Sequence, residues 1–281
     1  APPEKFPFYI SIMVGIGNLG NLLGARPLAQ AVEMFGWRGS MLAIALMTLV
    51  SAVTVFFFVT DPARAETPDR GGNAWTELCE IMSLKVIWPL YFLTFVSYAV
   101  IAAERGLWIG PFLEKVHGLD ALERGNAAFF MALGMASGAL VASPMVRVLG
   151  TMKRVAILGS AGATLCFAAI GALSWLSSGV TVFLLFMAGL FGMCYGIIMS
   201  HARLFFPEHL LGRGVTFVNF LSMAGAGTAL SLSGLFVRGA QAAGVPAATL
   251  FSQLHLFFAA MLVTALAWYL TAPERPVRTP G

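Results

Sequence analysis

Charged side chains are scarce in this chain. Lys, Arg, Asp and Glu make up 11% of its 281 residues, against roughly 25% in soluble globular domains, and that shortage excludes an ordinary water-soluble fold. Cysteine is equally thin. Cys79, Cys166 and Cys194 lie in or beside apolar stretches without metal-ligand spacing, so no zinc site and no disulfide is assigned. Ala1 to Pro7 hold neither the basic region nor the apolar core of a secretory leader, and the numbering is expected to begin inside a longer protein. Paired acids, a serine with a base and the His-Glu-x-x-His spacing are all missing, so a membrane-embedded enzyme would have nothing with which to activate water. A net charge of +4 would suit nucleic acid only if it were clustered. Lys and Arg instead fall one to three at a time between apolar runs, the pattern of loop charge that sets membrane topology.

Apolar runs are what the sequence has in abundance: 58% of residues are hydrophobic and mean hydropathy is +0.83. A bilayer core about 30 Å thick needs roughly 20 apolar residues per helical crossing. Met41 to Thr60 is such a run without a charge. About eight transmembrane helices are expected, at Phe8 to Val32, Met41 to Thr60, Val86 to Ala103 (or on to Leu113), Ala127 to Val146, Val155 to Trp175, Val180 to Ser200, Val215 to Val237 and Leu250 to Thr271. Residues 61–85, with Pro62, Pro68, Gly71 and Gly72, read as a cytoplasmic linker carrying a short amphipathic piece. An even number of crossings puts both termini on one side. Most basic residues, from Lys5 through Arg64, Arg147, Lys153 and Arg213 to Arg278, collect on that side, while Arg38, Lys115, Arg124 and Arg238 fall opposite. Both termini are therefore expected in the cytoplasm.

A weak internal repeat adds order. Pro3-Glu4 followed by Met13-Val14-Gly15-Ile16-Gly17 returns six spans later as Pro207-Glu208 followed by Met223-Ala224-Gly225-Ala226-Gly227, as two tandem six-helix halves would produce. Span seven would then be the fifth helix of a second half, span one the fifth of the first, and four helices would be missing upstream.

On these residues the chain resembles the major facilitator superfamily, helices five to twelve of its twelve. Pro2-Pro3-Glu4-Lys5-Phe6 is similar to the approach to helix five, and Gly15-x-Gly17-x-x-Gly20 with Pro27 and Gly36-Trp37-Arg38 to that helix and its exit. Gly106-Leu107-Trp108-Ile109-Gly110-Pro111 and Gly118-Leu119-Asp120 are similar to the end of helix seven and its outer loop, and Phe206-Pro207-Glu208 with Gly212-Arg213-Gly214 to the approach to helix eleven. One departure is plain: in the loop between helices eight and nine Arg147, Gly150 and Lys153 fit the family's basic motif, but Val146 stands where an aspartate would be and Met152 where a basic residue would be. An inner latch there is expected to be weakened.

The resemblance implies an all-α membrane protein with a partial major-facilitator-type fold: residues 1–60 the last two helices of an N-terminal bundle, 61–85 a linker, 86–272 the complete six-helix C-terminal bundle, and 273–281 a cytoplasmic tail. It also implies alternating access about a site near the midplane, lined from this half by helices seven and ten. By helical spacing Tyr91, Phe95 and Tyr98 share one face of the former, while Tyr195 and Met199 fall on the latter beside Met193. The same stripes would serve as packing surface. Arg26, beside Pro27, either faces the cavity and binds a carboxylate or phosphate through its planar guanidinium or snorkels to the outer interface. Glu104 sits roughly 27 Å along the axis from Val86. With Arg105 it forms either an interfacial pair or, if the helix runs to Leu113, a proton-coupling group inside the span. Asn18, Asn21, Asn126 and Asn219 suit helix contacts or substrate, and Asn219 is counted with the binding candidates. His201 and His209 read as solvated loop residues, and Gly20-x-x-x-Gly24, Gly134-x-x-x-Gly138 and Gly192-x-x-x-Gly196 as close-packing stripes.

The expected activity is transport of a small organic solute or ion, with proton coupling open, no enzymatic step, no cofactor and no metal. The expected partners are a small-molecule substrate and the lipid bilayer, without nucleic acid, in a monomer of a plasma or bacterial inner membrane. A non-transporting scaffold or sensor is the alternative, and this chain by itself is not expected to transport.

Overall fold

The computed structural model describes residues 26–58, 74–173 and 177–274; the side chains of Arg26, Ala29 and Ala74 are not described. Most of span one, with Asn18, Asn21 and the Gly20-x-x-x-Gly24 stripe, lies outside these residues, as do most of the linker and the end of the tail. Among the described residues there is no strand, and seven helical segments are long and apolar enough to cross a membrane. The protein is an all-α, multi-pass membrane protein.

Helix α1 (Arg26–Phe58) is broken at Gly36, whose φ of 69° and ψ of 166° only glycine adopts without strain. The break falls in the Gly36-Trp37-Arg38 exit expected between spans one and two. Beyond it Met47, Val50 and Phe57 are exposed, and the main contact of α1 is with α5 (Ala121–Leu149).

The remaining helices pack together. The short α2 (Ala74–Ser83) buries Ile81. It is strapped to the bundle at Tyr91, whose hydroxyl donates to the Ile81 carbonyl at 3.0 Å, and by ion pairs of Glu77 with Arg213 and Glu80 with His209. Next come α3 (Trp88–Ala103), a π-turn (Glu104–Trp108) and α4 (Ile109–His117). They run on as one crossing of 33 residues, Lys85–His117, so the longer of the two extents expected for span three is the real one, and it exceeds Leu113. Gly118, at φ 67°, closes α4 with its N–H on the Glu114 carbonyl.

α5 opens on a capping box: Asp120 Oδ1 accepts from the Glu123 N–H at 2.8 Å and Glu123 Oε2 accepts from the Asp120 N–H at 2.9 Å. α6 (Met152–Ala172) starts at Thr151. Span six is two helices, α7 (Ser178–Gly192) and α8 (Tyr195–Arg203), separated by Met193 and Cys194. α9 (Leu211–Ala242) and α10 (Ala247–Tyr269) complete the bundle.

The closest partners are α5 with α7, α3 with α9, and α6 with α10. Small residues set these distances. A Cβ at Gly134 or Gly138 would fall on the carbonyl oxygens of Phe186 and Leu190, and one at Gly225 on that of Phe95. The third stripe packs only in part, because Gly192 meets the Ile101 side chain while Gly196 faces open space.

Candidate functional site

Two features stand out in this apolar bundle. The first is a groove of about 530 Å³ between α8 and α9, lined by Tyr195, Met199, Ser200, Arg203, Val215 and Asn219. It exists because the helix restarts after Cys194: Tyr195, Met199 and Arg203 then follow at four-residue intervals along one face, opposite Val215 and Asn219 at the same interval on α9. Gly196 and Gly212 leave the space between them open. Tyr195, Met199 and Asn219, named from sequence, therefore share one surface. Ser200 and Arg203 join them. Arg203, one of the basic residues at the cytoplasmic ends of the spans, follows Met199 by four residues and so lies on the same face.

The three aromatics of α3 divide. Tyr98 rests against Tyr195 from α3, with ring centroids 4.8 Å apart, and so stands behind the groove wall without lining it. Tyr91 and Phe95 line a different hollow of about 270 Å³ with Trp88, Phe92, Phe217 and Trp268. There Tyr91 is buried, holds α2 through its hydroxyl and meets Phe217 edge to face at 5.3 Å. Arg26 begins α1, and its side chain lies outside the described residues.

The second feature is a buried ionisable pair. Glu104 lies in the π-turn and is 0% exposed, as is His255 of α10. The Nε2 of His255 stands 3.4 Å from Glu104 Oε2, and neither carboxylate oxygen has a hydrogen-bond partner. Nδ1 of His255 lies 2.6 Å from the Phe251 carbonyl. Around the imidazole stand Phe112, at 4.5 Å between centroids, and Phe167, stacked at 6.2 Å. Glu104 is buried inside the bundle, because the helix continues past it and α10 covers it. His255 had not been singled out from the sequence. The signal was present, since an ionisable side chain sits within the apolar run Leu250 to Thr271.

His201 also departs from expectation. It is 1% exposed, and its Nδ1 pairs with the Tyr269 hydroxyl at 2.8 Å, because Arg203 rather than His201 ends α8 and the last turn of α10 lies against it. His209 is exposed and pairs with Glu80.

The sequence model of the Major Facilitator Superfamily matches residues 1–230. This chain belongs to the Major Facilitator Superfamily. No curated protein matches it significantly. Among solved structures it is similar to a bacterial homolog of the human lysosomal transporter Spinster, in an inward-facing and unoccupied conformation, with a TM-score of 0.68 and 15% identity over 97% of this chain and 72% of that one. At that identity the likeness establishes the fold. The groove between α8 and α9 and the Glu104–His255 pair are thus features of a Major Facilitator Superfamily bundle.

Proposed function

We propose that this chain is the larger part of a secondary active transporter that moves a small organic solute by alternating access, with Glu104 as its proton-coupling group. The observation that carries the reading is the α8–α9 groove: in a chain so poor in charge, Tyr195, Ser200, Arg203 and Asn219 gather on one open surface. Arg203, and Arg26 from the other bundle, favour an anionic or amphipathic solute, because a guanidinium matches a carboxylate or phosphate in two-pronged geometry. Tyr195, backed by Tyr98, supplies an apolar wall, while Tyr91 and Phe95 would meet substrate only from their separate hollow.

The end that carries α2, Lys153 and Arg203 faces the cytoplasm, in line with its excess of basic residues, and the membrane is a bacterial inner membrane. Residues 1–60 belong to the N-terminal bundle and 86–272 form the C-terminal one. The 72% coverage of the Spinster homolog is in keeping with four helices upstream, and transport requires them.

A thermal-stability screen of the protein in detergent against organic acids, phosphates and drug-like amphiphiles tests this reading, since a ligand at about 100 times its Kd stabilises the bound state by roughly 2.7 kcal/mol. Asn219→Ala and Arg203→Ala are expected to weaken the stabilising ligand at least about tenfold, roughly 1.4 kcal/mol. A ligand whose affinity is the same in wild type and both variants would remove the groove from the site.

A further inference from the structure

We infer that Glu104 and His255 together form a binding site for a single proton, and that the π-turn between them and α9 reports its occupancy to the groove. Only the use of that proton in transport rests on the reading above; the site itself rests on geometry.

The Phe251 carbonyl can only accept, so Nδ1 of His255 carries a hydrogen and donates it along α10. Nε2 is thereby the atom turned to Glu104, 3.4 Å from Oε2, and neither of these two atoms makes a hydrogen bond. Three states are available. With no proton between them, a carboxylate confronts an imidazole lone pair and the pocket holds an uncompensated negative charge. With two, it holds an uncompensated positive charge. With one, the pocket is neutral overall, as carboxylic acid and imidazole or as carboxylate and imidazolium.

Bare charge in an apolar surrounding is strongly disfavoured, and Phe112, Phe167 and Phe258 pack around the ring. Other titratable groups are few on the packed elements. Arg105 follows Glu104 and interacts with Tyr98; His117 of α4 is beyond the Phe112 ring; Cys166 of α6 precedes Phe167; α9 contributes Ser233. The one-proton state is the stable one in this fold. Losing the proton breaks a single O–H or N–H bond, delivers the proton to water and leaves the pocket at minus one.

The π-turn makes that loss mechanically legible. The Ile109 N–H reaches back five residues to the Glu104 carbonyl, so this turn contains a surplus residue. Trp108, at its far end, donates Nε1–H to Ser233 Oγ on α9 at 2.8 Å. One turn therefore holds α10 through Glu104 and α9 through Trp108. Moving the surplus residue along the helix rotates Glu104 by about 100°, taking a charged carboxylate away from the phenylalanines while shifting the contact with α9, the helix that bears Asn219.

The test is infrared difference spectroscopy of the protein in lipid nanodiscs over a pH titration, with nitrogen-15 labelled histidine followed by magnetic resonance in the same samples. In wild type a carboxylic acid band and the His255 Nε2 signal are expected to change together at one midpoint, with Nδ1 protonated throughout. Glu104→Gln, which mimics the protonated acid, should abolish the band and leave His255 neutral over that range. His255→Gln should leave the acid band present and constant. A carboxyl band that titrates with the same midpoint in His255→Gln, or a His255 in wild type that lacks the Nδ1 proton or never responds, overturns the site even if a variant fails to fold. A pair that titrates as one while ligand stabilisation is independent of pH upholds the site and removes its use in transport.

Discussion

At Gly225 a single methyl group decides how near two helices come. The α9 backbone lies so close to α3 that a Cβ would fall on the Phe95 carbonyl oxygen, which, being main chain, cannot swing aside. Gly225→Ala should therefore cost about 1–3 kcal/mol through overpacking, against about 1 kcal/mol gained in helix propensity. Gly227, two residues on, has nothing within 4 Å, so Gly227→Ala should be neutral or slightly stabilising. Melting temperatures of the two variants in detergent check the contrast. Some of this was readable in the sequence: Gly134-x-x-x-Gly138 is a close-packing stripe and acts as one. Gly225 appeared there only as part of a repeat, because spacing reveals which glycines share a face but not which face meets a backbone. Glu104 and His255 show the same division, since each is visible as an ionisable group in an apolar run while their meeting across 151 residues is a property of the bundle.

Elements were legible where composition changes sharply and blurred where it does not. The apolar runs located all seven described crossings, to within a few residues at most ends. Glu104-Arg105 read as a possible end of span three because charges usually mark the interface, whereas a π-turn carries the helix through them and α10 supplies the cover. The break between α7 and α8 left no mark in the hydropathy, yet it sets the face that forms the groove.

The basic loop between α5 and α6 was read as a weakened latch, and the described residues give one of its members another task. Lys153 Nζ donates to the carbonyls of Leu270 at 2.9 Å and Ala272 at 2.6 Å, satisfying the end of α10 where a cation also suits the helix dipole. Lys153→Met should cost about 0.3–2 kcal/mol. Amide hydrogen exchange should accelerate over residues 266–272 while the middle of α10 is unaffected. Uniform exchange along α10 in the variant would remove Lys153 as its cap.

At the scale of the molecule, six crossings form one packed bundle, while α1 leans on α5 with its apolar side bare, as expected for a helix whose partners belong to another bundle. Family and fold were legible because order and spacing of short motifs persist along the chain; solute identity was not, because a groove's chemistry depends on which faces the helices turn towards it. The account requires α8 and α9 to present a water-filled surface while the outer faces of α9 and α10 meet lipid. Single cysteines at Met199, Asn219, Leu232 and Val263, in a background with the exposed Cys79 replaced by serine, test this in sealed vesicles with a membrane-impermeant maleimide applied from each side. Cysteines at 199 and 219 should react from the cytoplasmic side, and those at 232 and 263, which are exposed on the bundle surface, should react from neither. Equal labelling at all four positions, or no labelling at 199 and 219 from either side, would contradict it.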